Sequence, residues 1–131
     1  MKKTLRISAD LRHLEQIGNI VRDMLQAFPD EVYGVQLAVH ECLTNVINHA
    51  YDGQDGDIDI ALELKRRRFI AEVQDRGRGF DFDSVALPDL ENGQVHGYGI
   101  FLIHQLMDDV SYRVRRNNNC WRLEKKLVAA T

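Results

Sequence analysis

Apolar residues recur along this chain in two rhythms, and each change of rhythm marks a new element. Leu5 and Ile7 alternate with polar neighbours and predict a short strand over residues 4–8. Leu11, Leu14, Ile17, Val21, Leu25 and Phe28 then fall three or four apart, the spacing of one helical face, with Asp10 placed to cap its start. Pro29 and Asp30 break that helix. Val35, Ala38, Val39, Cys42, Leu43, Val46, Ile47 and Ala50 predict a second helix with a wide buried stripe, ended by Gly53 and the Asp55-Gly56 pair. Alternation returns at Ile58, Ile60, Leu62 and Leu64, and again at Phe69, Ala71 and Val73, which predicts two strands. Residues 77–96 have little period and read as a long loop, the kind that often serves as a functional lid. Residues 99–107 predict a short helix. Residues 110–114 and 121–127 predict two strands, with Asn117, Asn118 and Asn119 turning the chain between them.

The resulting order is β-α-α-β-β-lid-α-β-β. Short turns between neighbouring strands imply an α+β fold, a two-layer sandwich with a mixed, mostly antiparallel sheet and helices on one face. With 131 residues, the chain is expected to form one domain over 1–131.

Composition narrows the function. A net charge of −3 gives no reason to expect nucleic acid, which favours a strongly basic face. The basic run Lys65-Arg66-Arg67-Arg68 lies between two strands and reads as a solvated hairpin tip. No apolar stretch approaches the ~18 residues of a membrane span, and no signal peptide is read at the start. Cys42 and Cys120 have neither metal-binding nor redox spacing, so the expected location is cytoplasmic.

Three patches carry chemistry. Glu41 and Asn45 stack one helical turn apart, with Asn48 and His49 on the next turn. An Asn oxygen suits Mg²⁺, which keeps several waters and takes few protein ligands. A carboxylate beside it can accept a proton from an attacking hydroxyl, although the same residues would also make a plain solvated helix face. His40-Glu41 lacks the second His of a zinc protease, since Thr44 holds that position. In the second patch, Asp75 continues the inward register of Val73, and a buried acid needs a donor; Gly77 and Gly79 follow, with Phe80 beside them. A glycine turn is the simpler reading of that patch. The third patch is His96-Gly97-Tyr98-Gly99-Ile100, a glycine pair opening a helix whose free N–H groups can take phosphate. It is neither a P-loop nor a Rossmann fingerprint.

Together these patches resemble the N box and two glycine boxes of the GHKL ATPases, the group of DNA gyrase, a heat-shock chaperone class, histidine kinases and MutL repair proteins. Residues 41–51, E-C-L-T-N-V-I-N-H-A-Y, are most similar to the small anti-sigma-factor serine kinases of bacterial partner switching. So are Gly99-Ile100-Phe101-Leu102-Ile103 and Leu106-Met107-Asp108-Asp109-Val110; the resemblance covers roughly residues 35–126.

The resemblance implies a Bergerat-type fold holding ATP and Mg²⁺ under a lid. It assigns Glu41 as general base, Asn45 to Mg²⁺ and Asp75 to the adenine amino group. Gly77 and Gly79 fall to the hinge and base edge, Gly97 and Gly99 to the phosphates, and His49 to a supporting position. Asn48, Phe80, His96, Tyr98 and Ile100 complete the expected nucleotide site. The implied activity is a protein serine/threonine kinase acting on a small STAS-type antagonist, with a sigma factor or other regulator as the sequestered partner, in a homodimer. One departure stands out: His96 occupies a position where the family often has Arg, and it is shorter and lacks that fixed charge. The alternative is a nucleotide-gated regulatory protein with little or no phosphotransfer. A gyrase-like ATPase would need a further domain to complete its site, and a histidine kinase would need a helical segment bearing the phosphoaccepting His; neither is read in this sequence.

Overall fold

A computed structural model describes residues 1–51, 54–77, 98–115 and 118–128. The elements follow the expected order: β1 (Lys2–Ser8), α1 (Leu14–Met24), α2 (Val32–Asn45), β2 (Asp57–Lys65), β3 (Arg68–Asp75), α3 (Tyr98–Leu106), β4 (Asp109–Arg115) and β5 (Asn118–Lys126). The sheet order is β1-β2-β3-β5-β4, and every pairing is antiparallel. This is the fully antiparallel end of the expected range. Because β5 lies between β3 and β4, the crossover through α3 never sets two parallel strands side by side.

The core lies between the helices and the inner face of the sheet. Alternate residues Ile58, Ile60 and Leu62 of β2, Phe69, Ala71 and Val73 of β3, and Trp121 and Leu123 of β5 are buried there. All eight residues of the α2 stripe, from Val35 to Ala50, are buried too. After Asn45 the helix widens into a single π turn, Val46–Ala50, a feature common at functional sites.

The first helix departs from expectation. Asp10 accepts the N–H of Arg12 at 3.0 Å, capping a short 3₁₀ turn, Leu11–His13, ahead of α1. Leu11 is left half-exposed instead of joining the stripe. The helix ends at Met24, before Pro29, where the N–H of Leu25 bonds back to the carbonyls of Val21 and Arg22. A further turn, Phe28 N–H to Leu25 O, brings Phe28 back against the core from outside the helix.

The basic run is a hairpin tip, as expected. Lys65 pairs with Arg68, leaving a two-residue turn in which Arg66 has φ of 54°. The outer face of the sheet carries charges. Arg68 and Arg122 both bond Glu124, whose residue is only 7% exposed. The Arg68 hydrogen bond leads in holding the Glu124 carboxyl below its ordinary 4.5. A depressed carboxyl stabilises the fold above that ordinary value, and the contribution is lost as pH falls through the folded value. Glu124→Gln is therefore expected to lower stability at neutral pH by roughly 1 kcal/mol. The gap should close in acid, as read by urea unfolding across pH. Among the described residues no helix is long and apolar enough to cross a membrane.

Candidate functional site

Asp75 ends β3 with its side chain turned inward and only 2% exposed. Its Oδ1 accepts two hydrogen bonds, from the Asn119 amide at 2.9 Å and the Gly77 N–H at 3.0 Å. Its Oδ2 is buried and has no partner among the described residues. Burial raises the carboxyl above its ordinary value, against the pull of those two bonds. A buried acceptor left unmatched is costly, so an orphan of this kind marks a place for a donor.

Asn119 is a site residue that the sequence reading placed in a turn. It lies opposite Asp75 in the β3–β5 register and is itself 2% exposed. Its amide donates to Asp75 Oδ1 and also to the Gly77 carbonyl at 3.0 Å. The signal was available: Asn119 continues the inward alternation of Trp121 and Leu123.

Tyr51 is a second addition. Its hydroxyl donates to the Asp57 carbonyl at 2.5 Å and accepts the Arg76 N–H at 2.9 Å. It thereby ties the end of the π turn to the start of β2 and the exit of β3. Gly56 allows this, since a Cβ there would lie 2.0 Å from the Tyr51 ring.

Gly77 has an equally specific reason to be glycine. A Cβ at that position would stand 2.4 Å from the carbonyl oxygen of Ala50. Backbone meets backbone here, and neither side can rotate away. Gly77→Ala is expected to destabilise the protein by roughly 1–3 kcal/mol, measured as a lower urea midpoint.

The third patch meets the first. A Cβ at Gly99 would fall 2.6 Å from Oε2 of Glu41, so the α2 carboxylate lies directly over the opening turn of α3. The N–H groups of a first helical turn have no partner within their own helix. Glu41 and Asn45 are both half-buried on α2. Asn48 and His49, on the π turn, are exposed. The Ile100 side chain is packed in the core at 8% exposure, so its backbone alone is available to the site. Gly79, Phe80, His96, Gly97 and the Tyr98 side chain lie outside the described residues, as does most of the expected lid. Cys42 is fully buried and burial raises its thiol well above the ordinary range, which leaves it an inert core residue.

These residues fit a magnesium nucleotide. The Asp75 Oδ2, unmatched among the described residues, suits an amino donor on a base, and the start of α3 offers helix N–H groups of the kind that take phosphate, with the Glu41 carboxylate close beside them. Among the described residues no cluster of three His, Cys, Asp or Glu could hold a metal unaided. Mg²⁺ takes few protein ligands and fills its shell with phosphate oxygens and water, and the Asn45 amide is an oxygen donor of the kind it uses.

The fold is a two-layer α/β sandwich with a buried acid at the end of β3 and a helix start beside a carboxylate. The family model described as the histidine kinase-like ATPase domain matches residues 7–125. The chain belongs to that family. A serine-protein kinase RsbW from Halalkalibacterium halodurans is 35% identical over 95 residues, which is 64% of this chain and 56% of that protein. Its namesake from Oceanobacillus iheyensis is 33% identical over 93 residues, covering 62% and 57%. The chain thus spans little more than half the length of the curated relatives it matches.

Among solved structures, the RsbU and RsbW domains of a Mycobacterium tuberculosis protein superpose with a TM-score of 0.69 at 16% identity, over 97% of this chain and 32% of that one. The histidine kinase domain of a blue-light activated kinase from Erythrobacter litoralis gives 0.59 at 18% identity, over 89% and 60%. These likenesses are of fold, and they agree with the architecture expected from the sequence.

Proposed function

We propose that this protein is an ATP- and Mg²⁺-dependent protein serine/threonine kinase of a partner-switching system. The observation that carries the nucleotide reading is the buried, unmatched Oδ2 of Asp75 beside Asn119. The kinase reading is supported by Glu41 over the start of α3 and by relatives named serine-protein kinases.

Each residue has a role in that reading. Asp75 accepts the amino group of the base, and Asn119 holds Asp75 in place. Gly77 hinges the lid against Ala50. Asn45 holds Mg²⁺, and Gly97 and Gly99 admit the phosphates. When bound, ATP supplies the phosphoryl group. Glu41 takes the proton from the seryl or threonyl hydroxyl of the substrate. The substrate is a small STAS-type antagonist, and the competing partner is a sigma factor or similar regulator. One phosphate on the antagonist then decides which partner the kinase holds. The protein works in the cytoplasm, as a homodimer formed through the exposed face of β1.

The test is incubation with labelled ATP, Mg²⁺ and lysate of the source organism, beside Glu41→Ala. An acid-stable labelled band of small size, lost with the variant, supports the reading and hands over the substrate. If no band appears while ATP still binds by titration, the kinase reading falls and a nucleotide-gated binding protein takes its place.

A further inference from the structure

The outer face of the sheet, away from the helices, has two unlike halves. On the β1–β2 side the charges pair: Arg6 bonds Asp59 at 2.7 Å and lies 3.9 Å from Asp57. On the β5–β4 side Arg113 and Arg115 are exposed and take part in no ion pair among the described residues. Between them and β3 lies a cavity of about 410 Å³. Its walls include Arg113, Arg115, Arg122, Ser111, Asn118 and Gln74.

The strand register explains why these groups converge. Arg113 lies opposite Cys120, which in turn lies opposite Gln74. Arg115 is opposite Asn118, and Ser111 is opposite Arg122. Residues two apart on a strand share a face, so three adjacent rows direct their side chains to one side. The result is three guanidiniums with two carboxamides and a hydroxyl around one small volume. Glu72, opposite Arg122, also lines it and places an acceptor at the far row from Arg115.

We propose that this cavity is a binding site for a phosphate monoester. Guanidinium forks match phosphate oxygens two at a time, and the two unpaired arginines give the site its excess of positive charge. Ser111 and Asn118 add neutral donors, and Glu72 accepts a hydroxyl from the organic part of the ester. The volume suits a small molecule, and it lies over the sheet, not along its edge. The site lies on the opposite face of the sheet from the buried Asp75 and does not depend on the kinase reading.

Cys120 provides a local reporter, since it lines the cavity while Cys42 is fully buried. The experiment is alkylation of Cys120 by iodoacetamide at mildly alkaline pH, followed by peptide mass spectrometry. It is run in chloride, in inorganic phosphate and in glycerol 3-phosphate at matched ionic strength. The expected result is a several-fold slowing by glycerol 3-phosphate that is absent in Arg113→Gln/Arg115→Gln. Equal slowing by inorganic phosphate would make phosphate itself the ligand, with the same site intact. No slowing beyond chloride, or the same slowing in the double variant, would overturn the proposal. Both arginines are exposed, so the variant is expected to keep its fold, as checked by an unchanged unfolding midpoint.

Discussion

Replacing Glu41 by glutamine is expected to slow phosphotransfer by about 10²- to 10⁴-fold, the usual contribution of a positioned general base. Nucleotide affinity should change little. The variant keeps the size and shape of the side chain over Gly99 but loses the proton acceptor. Initial rates on the isolated substrate, set beside ATP titration of the same protein, separate the two effects. A parallel loss of binding and rate would mean that Glu41 shapes the phosphate pocket and is not its base.

Asp75→Asn is expected to weaken ATP binding by roughly 10- to 100-fold, the loss of one charge-assisted hydrogen bond in a buried place. Calorimetric titration reads this directly. The same change should raise the stability of the ligand-free protein at neutral pH, and the sign follows from the carboxyl's elevation above its ordinary 3.8. A raised folded value means that protonation favours the fold. That gain is complete below 3.8 and disappears as pH rises through the folded value. The parent protein should therefore gain on the variant as the solution is made acid. Weaker binding together with greater stability is a pairing that simple damage to the fold would not produce.

The parts of this molecule that the sequence made legible are those where one physical signal dominates. The α2 stripe is eight apolar residues at helical spacing, and all eight are buried. Asp75 was placed inward by strand alternation alone, and its burial agrees. Errors arose where two signals met. Phe28 continues the apolar spacing of α1 yet reaches the core through a turn, because the helix had already ended at Met24. Asn119 belongs to an asparagine run that resembles a turn, yet it lies within β5 and holds the central acid. The position of β5 between β3 and β4 depends on pairings between distant segments, which no local pattern records. Tyr51 left no mark of its role either, since its partners are backbone atoms of Asp57 and Arg76.

The unmatched oxygen on Asp75 also bears on the life of the protein outside any reaction. A ligand that meets this atom binds the folded chain and not the unfolded one, and at 100 times its dissociation constant would add about 2.7 kcal/mol of stability. For a small domain that is a large share of the total. Under the proposed function, a cell rich in ATP keeps this chain folded, and a cell short of it exposes the chain to its proteases. The abundance of the regulator would then follow the energy supply before any partner is engaged.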